Sequence, residues 1–86
     1  MTTWQVDVFN DETDQLIEEI AARRPHRAEV RRLWSIPEAD PIAPLLITRS
    51  QLAFVNELIG APLRLEQGTS AFLCEFAEYL GETVGD

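Results

Sequence analysis

The chain has 86 residues, with 15 Asp and Glu against 7 Arg and no Lys, a net charge of -8 and a 45% hydrophobic content ordinary for a globular protein. That length makes room for one domain, expected over residues 1–86, with a small stability margin. A single Cys and a single His exclude an internal disulfide and a Cys/His zinc site, and the acidic surplus argues against binding nucleic acid through its phosphates, which needs clustered cations.

The opening residues have neither a basic start nor an apolar stretch, and no apolar run exceeds about four residues, so neither a signal peptide nor a membrane span is expected. A soluble, cytoplasmic protein is the expectation. The charge is unevenly distributed. Residues 1–22 hold Asp7, Asp11, Glu12, Asp14, Glu18 and Glu19 without a cation, whereas residues 23–34 place Arg23, Arg24, Arg27, Arg31 and Arg32 against Glu29 alone. The remaining residues are again acidic, with only Arg49 and Arg64 as cations.

Thr3 to Phe9 alternates, with Trp4, Val6 and Val8 on one face and Gln5 and Asp7 on the other, and reads as a strand. The segment from Asn10 to Ala21 admits two readings. In one, Asn10 and Asp11 tolerate a left-handed turn and residues 15–20 return as the second strand of a hairpin. In the other, Asp11 caps a helix with Leu16, Ile17, Ile20 and Ala21 as its apolar stripe. A lone first strand needs a partner and the hairpin supplies one at once, so the hairpin is preferred.

Pro25 suits the first turn of a helix running to about Trp34, where Ile36-Pro37 stops it. Residues 37–44, with Pro37, Pro41 and Pro44, read as a loop. Thr48-Arg49-Ser50-Gln51 is a capping box that opens a helix over residues 48–59, ended by Gly60 and Pro62. Leu63 to Glu66 alternates briefly and is a candidate third strand. From residue 70 to about 80, Phe72, Leu73, Phe76, Ala77, Tyr79 and Leu80 fill one helical arc opposite Glu75, Glu78 and Glu82, so a helix is expected, with a strand over 71–77 as the competing reading.

Enzyme constellations mostly fail by counting, and a Cys74–His26 pair is the one formal candidate, the least favoured reading. His26 is the only histidine, no Ser lies in a nucleophile elbow, and Cys74 reads as a buried small hydrophobe. Gly60, Gly68, Gly81 and Gly85 never approach a phosphate-cradling loop, so no cofactor is expected. Asp11, Glu12 and Asp14 lack the glycine and the terminal glutamate of a calcium loop, so no metal is expected.

Trp4-x-Val6-x-x-Phe9, Thr13-Asp14-x-Leu16-Ile17-x-Glu19, Leu33 with Pro37-x-x-Asp40-Pro41, and Ile47-Thr48-x-x-Gln51 together resemble a group of short bacterial proteins of unknown function. The resemblance covers residues 4–76. It implies a small α+β domain with a hairpin over residues 4–20 and a strand near Phe72, and it implies no activity.

The expected architecture is therefore α+β: a small antiparallel sheet from residues 3–9, 15–20 and 63–66, covered on one face by helices 25–34, 48–59 and 70–80. Its core is expected to draw on Trp4, Val6, Val8, Leu16, Ile20, Val30, Leu33, Leu52, Val55, Ile59, Phe72 and Phe76. The leading functional expectation is a non-enzymatic inhibitor whose acidic surface, at Glu18, Glu19, Glu75, Glu78 and Glu82, engages a basic protein partner, as an immunity protein engages a nuclease-type toxin. The alternatives are a phage-encoded, anti-CRISPR-like phosphate mimic that antagonises a nucleic-acid-binding defence complex, and a regulatory module forming a homodimer through Trp34 or the Pro-rich loop.

Overall fold

β1 (Thr2–Asn10) is the longest alternating segment near the start of the chain, and it lies in the interior of the sheet. The structure is a computed structural model that describes residues 2–42 and 44–77. After β1 come β2 (Leu16–Ala22), α1 (Arg27–Trp34), β3 (Leu45–Leu46), a 3-10 turn (Arg49–Gln51), α2 (Leu52–Ile59) and β4 (Thr69–Ala77). The strands form one sheet in the order β2-β1-β4-β3, and every neighbouring pair is antiparallel. This is an α+β fold with the expected N-terminal hairpin.

The hairpin forms because a short polar side chain organises its turn. Asn10 Oδ1 accepts the backbone N–H groups of Glu12 (2.8 Å) and Thr13 (3.1 Å). Asp14, with φ of 60°, takes the left-handed conformation that the sequence suggested for Asn10 or Asp11. The register then shifts: Val8 pairs with Glu18 but Phe9 pairs with Leu16, so Ile17 is the extra residue of a β-bulge.

α1 follows the buried Pro25, with His26 at its N-cap, so the helix starts two residues later than the proline suggested. It stops at Ser35, whose φ is 56° and whose N–H reaches back to the carbonyls of Arg31 and Arg32. The capping box forms at the second helical segment, where Gln51 Oε1 accepts the Thr48 N–H at 2.8 Å and the Thr48 hydroxyl at 2.7 Å. Gln51 is itself buried, and its amide donates to the Leu33 carbonyl at 3.4 Å, tying the start of this segment to the end of α1.

Both helices serve one face of the sheet. Trp4, Val6 and Val8 of β1 and Ala71 and Leu73 of β4 pack with Ile47, Val55, Leu58 and Leu63 in a single core cluster. Val30, from α1, is fully buried as well.

Three expectations are corrected. Residues 70–80 do not form a helix: Thr69–Ala77 is strand β4, which pairs with all of β1 from Thr2↔Ala77 to Asn10↔Thr69, while 78–80 lie outside the described residues. Helix-like periodicity misleads here because both faces of this strand carry apolar residues, Leu73 on one and Phe72 and Phe76 on the other. Residues 63–66 pair with no strand among the described residues; Leu63 is buried and its N–H is held by Asn56 Oδ1 at 2.8 Å, which makes the segment a wall of the core beside α2. The fourth strand is instead Leu45–Leu46, within reach of β4 just after Pro44. Finally, Leu16 and Phe76, expected in the core, are each 46% exposed, because they lie on the face that the helices leave uncovered.

Leu73 is 1% exposed and Leu46 is 50% exposed on opposite faces of the same sheet. Leu73→Ala is expected to cost about 2–5 kcal/mol, a large share of the stability of a small domain, whereas Leu46→Ala is expected to stay within about 0.5 kcal/mol. Urea denaturation of the two variants measures the difference.

Candidate functional site

Antiparallel register assigns each paired residue to a face. The row Trp4–Glu75, the row Val6–Leu73 with Ile20, and the row Val8–Ala71 with Glu18 all lie on the helix side. The opposite face carries Gln5–Cys74 with Ala21, Asp7–Phe72 with Glu19, and Phe9–Ser70 with Leu16; Leu46 extends it from β3. Among the described residues no helix lies on this second face.

Its composition is unusual for an exposed sheet surface. Phe9 and Phe72 meet edge to face with ring centroids 5.9 Å apart, and Phe76, Leu46 and Leu16 are each about half exposed around them. At the centre Asp7 is only 8% exposed. A carboxylate removed from water must be hydrogen-bonded, and here Gln5 Nε2 donates to Oδ1 at 2.5 Å and the Cys74 thiol donates to Oδ2 at 3.6 Å. Among the described residues no cation pairs with Asp7. Its neighbour across the hairpin is another acid, Glu19, so two like charges face each other at a spacing of roughly 5 Å between Cβ atoms.

The acids expected to form a binding surface fall in different places. Glu18 and Glu19 are both exposed, but Glu18 lies on the helix side and Glu19 beside Asp7 on the open face. Glu75 is on the helix side of β4, its side chain 11% exposed and held by both guanidinium nitrogens of Arg27, which also lies 6.0 Å from the centre of the Trp4 ring. Along β1 the rows of Glu18 and Glu75 are four residues apart, about 13 Å, so the sheet does not bring them together. Glu78 and Glu82 lie outside the described residues. Asp7 is the residue that sequence reasoning misses, because opposite Trp4, Val6 and Val8 it reads as a solvated position. The second apolar stripe, Phe9 with Phe72 and Phe76, is the signal that could have found it.

Other candidates resolve into structural roles. Trp34, a candidate for dimerisation, donates its indole N–H to the Leu46 carbonyl at 2.8 Å and packs edge to face on Phe54. His26 is exposed at the start of α1. Among the described residues no group of three His, Cys, Asp or Glu side chains is placed to hold a metal ion, and no helix is long and apolar enough to cross a membrane.

Residues 3–69 match the family described as a domain of unknown function (DUF7683). The chain belongs to this family. The match runs from β1 to the first residue of β4, so it includes the hairpin, both helices and the short strand β3. No curated protein and no solved structure matches the chain.

Burial, then the negative charge of Asp7 and the hydrogen bond to it, push the Cys74 thiol up from 9.0 to about 11. The unfolded chain therefore releases this proton at lower pH than the folded chain. The contribution to stability is complete below about pH 9 and is lost as the pH rises from about 9 to about 11. Cys74→Ala is expected to flatten the decline of stability across that window, as measured by urea midpoints at successive pH values. In the native protein at pH 8, Cys74 is expected to resist a thiol reagent until denaturant is added.

Proposed function

We propose that the chain is a non-enzymatic, protein-binding inhibitor that engages a basic partner, acting as the immunity protein of a nuclease-type toxin. The observation that carries this reading is Asp7: a buried carboxylate without a cation among the described residues, set opposite a second acid and ringed by half-exposed aromatic and aliphatic side chains. Asp7 and Glu19 are paired across the hairpin, and among the described residues neither has a cation partner. A guanidinium or ammonium group of a partner would pair with them in a partly desolvated setting, where such a pair is worth more than at an open surface. Phe9, Phe72 and Phe76 offer the apolar anchors that supply most of the affinity in protein interfaces. The acidic surplus would speed the encounter with a basic partner.

The same arrangement disfavours a homodimer through this face, since stacking two copies would bring acid against acid. Nothing in the reading requires a reaction, and Cys74, with its raised pKa, is a poor nucleophile at neutral pH.

The test is co-purification with the product of the gene next to this one. The expected result is a basic nuclease that binds this chain and loses activity on binding, with an affinity that falls as salt is raised. Glu19→Lys, at an exposed position, should weaken the complex at least tenfold, or about 1.4 kcal/mol. A complex indifferent to both salt and Glu19→Lys would count against the proposal, as would a neighbouring product that neither binds nor cleaves nucleic acid.

A further inference from the structure

β2 ends the sheet on one side, and among the described residues nothing pairs with its outer edge. It is seven residues long and, from Leu16 to Glu19, exposed throughout. It contains no proline and no cation, and the protective devices it does carry are the bulge at Ile17 and the acids Glu18 and Glu19, which repel an acidic strand and not a basic one. Ile17, the bulge residue, and Glu18 line a groove of roughly 370 Å³. Its apolar lining includes Val8, Ile20, Ile59 and Leu63, and its charged residues are two acids, Glu18 and Glu66, and one cation, Arg64.

We propose that the β2 edge is a strand-addition site whose occupant is an extended segment of a basic partner, with apolar residues alternating with Lys or Arg. This proposal rests on the reading of the protein as a binder of a basic partner and specifies how the partner is held. A strand laid along β2 gains main-chain hydrogen bonds from the free edge, and its alternate side chains divide between the two faces. One set faces the apolar groove beside Ile17 and Ile20. The other set faces Glu19, where a cation is favoured.

Charge selects this occupant over the two others available. A second copy pairing antiparallel about the middle of β2 would set Glu19 against Glu19. Residues 78–86 of the chain itself carry three acids and no cation, so they meet the same repulsion.

The experiment uses the full ¹⁵N-labelled chain at low salt, titrated with three capped peptides of the length of β2: alternating lysine and valine, alternating glutamate and valine, and the lysine peptide with proline at its central position. The lysine–valine peptide should shift the amide resonances of Leu16–Ala22 and of Ala61–Glu66 and slow the hydrogen exchange of β2. The glutamate and proline peptides should bind at least tenfold more weakly, and Ile17→Ser, which removes the apolar side chain without adding charge, should weaken binding of the lysine peptide. Shifts confined to Phe9, Phe72 and Phe76 would overturn strand addition while leaving a basic partner in place. Absence of any shift at millimolar lysine peptide would also overturn it, whereas the broader reading stands or falls on the neighbouring gene's product. A dimer on size exclusion with β2 already protected before peptide is added would assign the edge to a second copy and overturn the proposal.

Discussion

The backbone of β1 must be satisfied on both edges, and most of the architecture answers that demand. A strand whose inward residues are as deeply buried as Val6 cannot leave its N–H and C=O groups unpaired. The hairpin supplies one edge from the next residues in the chain. The other edge is supplied by β4, nearly sixty residues later, through an unbroken register over all nine residues of β1. The helices and the loop between them occupy the intervening sequence, and they pack on one side of the ladder because both strands put Val and Leu there.

Arginine organises the connections. Arg23 donates to the Glu57 carbonyl at 2.8 Å, at the C-terminal end of α2 where a cation is favoured by the helix dipole. Arg31 Nη1 donates to the carbonyls of Pro37 and Asp40, fixing the proline-rich loop against α1. Arg27 grips Glu75 over the Trp4 ring. These planar, multiply donating contacts are ones that an ammonium group reproduces poorly. Most of the basic segment thus serves the fold itself, and the acids left without a cation among the described residues, Asp7 and Glu19 above all, define the polarity of the open face.

Local chemistry was legible in the sequence where one segment contains the whole signal. Asn10 capping the hairpin turn, the Thr48–Gln51 box and the end of α1 before Ile36-Pro37 are of this kind. What depends on distant partners was not. Leu45–Leu46 is a strand only because β4 passes beside it, and two residues hold no periodicity. Residues 70–80 have a respectable helical arc, and the strand prevails because β1 has an edge to fill. Leu63 to Glu66 alternates without having a neighbour to pair with. The site obeys the same rule: Glu18 and Glu19 were visible as acids, but the isolation of Asp7 depends on which residues of β4 lie across from it.

The central pairing of β1 with β4 also bears on how the protein is made. The hairpin has its contacts nearby in sequence, but the innermost ladder joins the earliest and the latest of the described strands, a topology of high contact order. A nascent chain emerging from the ribosome would hold β1 paired on one side only until residue 77 had cleared the exit tunnel. During that interval Trp4, Val6 and Val8 lack their neighbours Ala71 and Leu73, so closure of the sheet waits on the last described strand, and the unfinished hairpin is the species most exposed to chaperones and proteases.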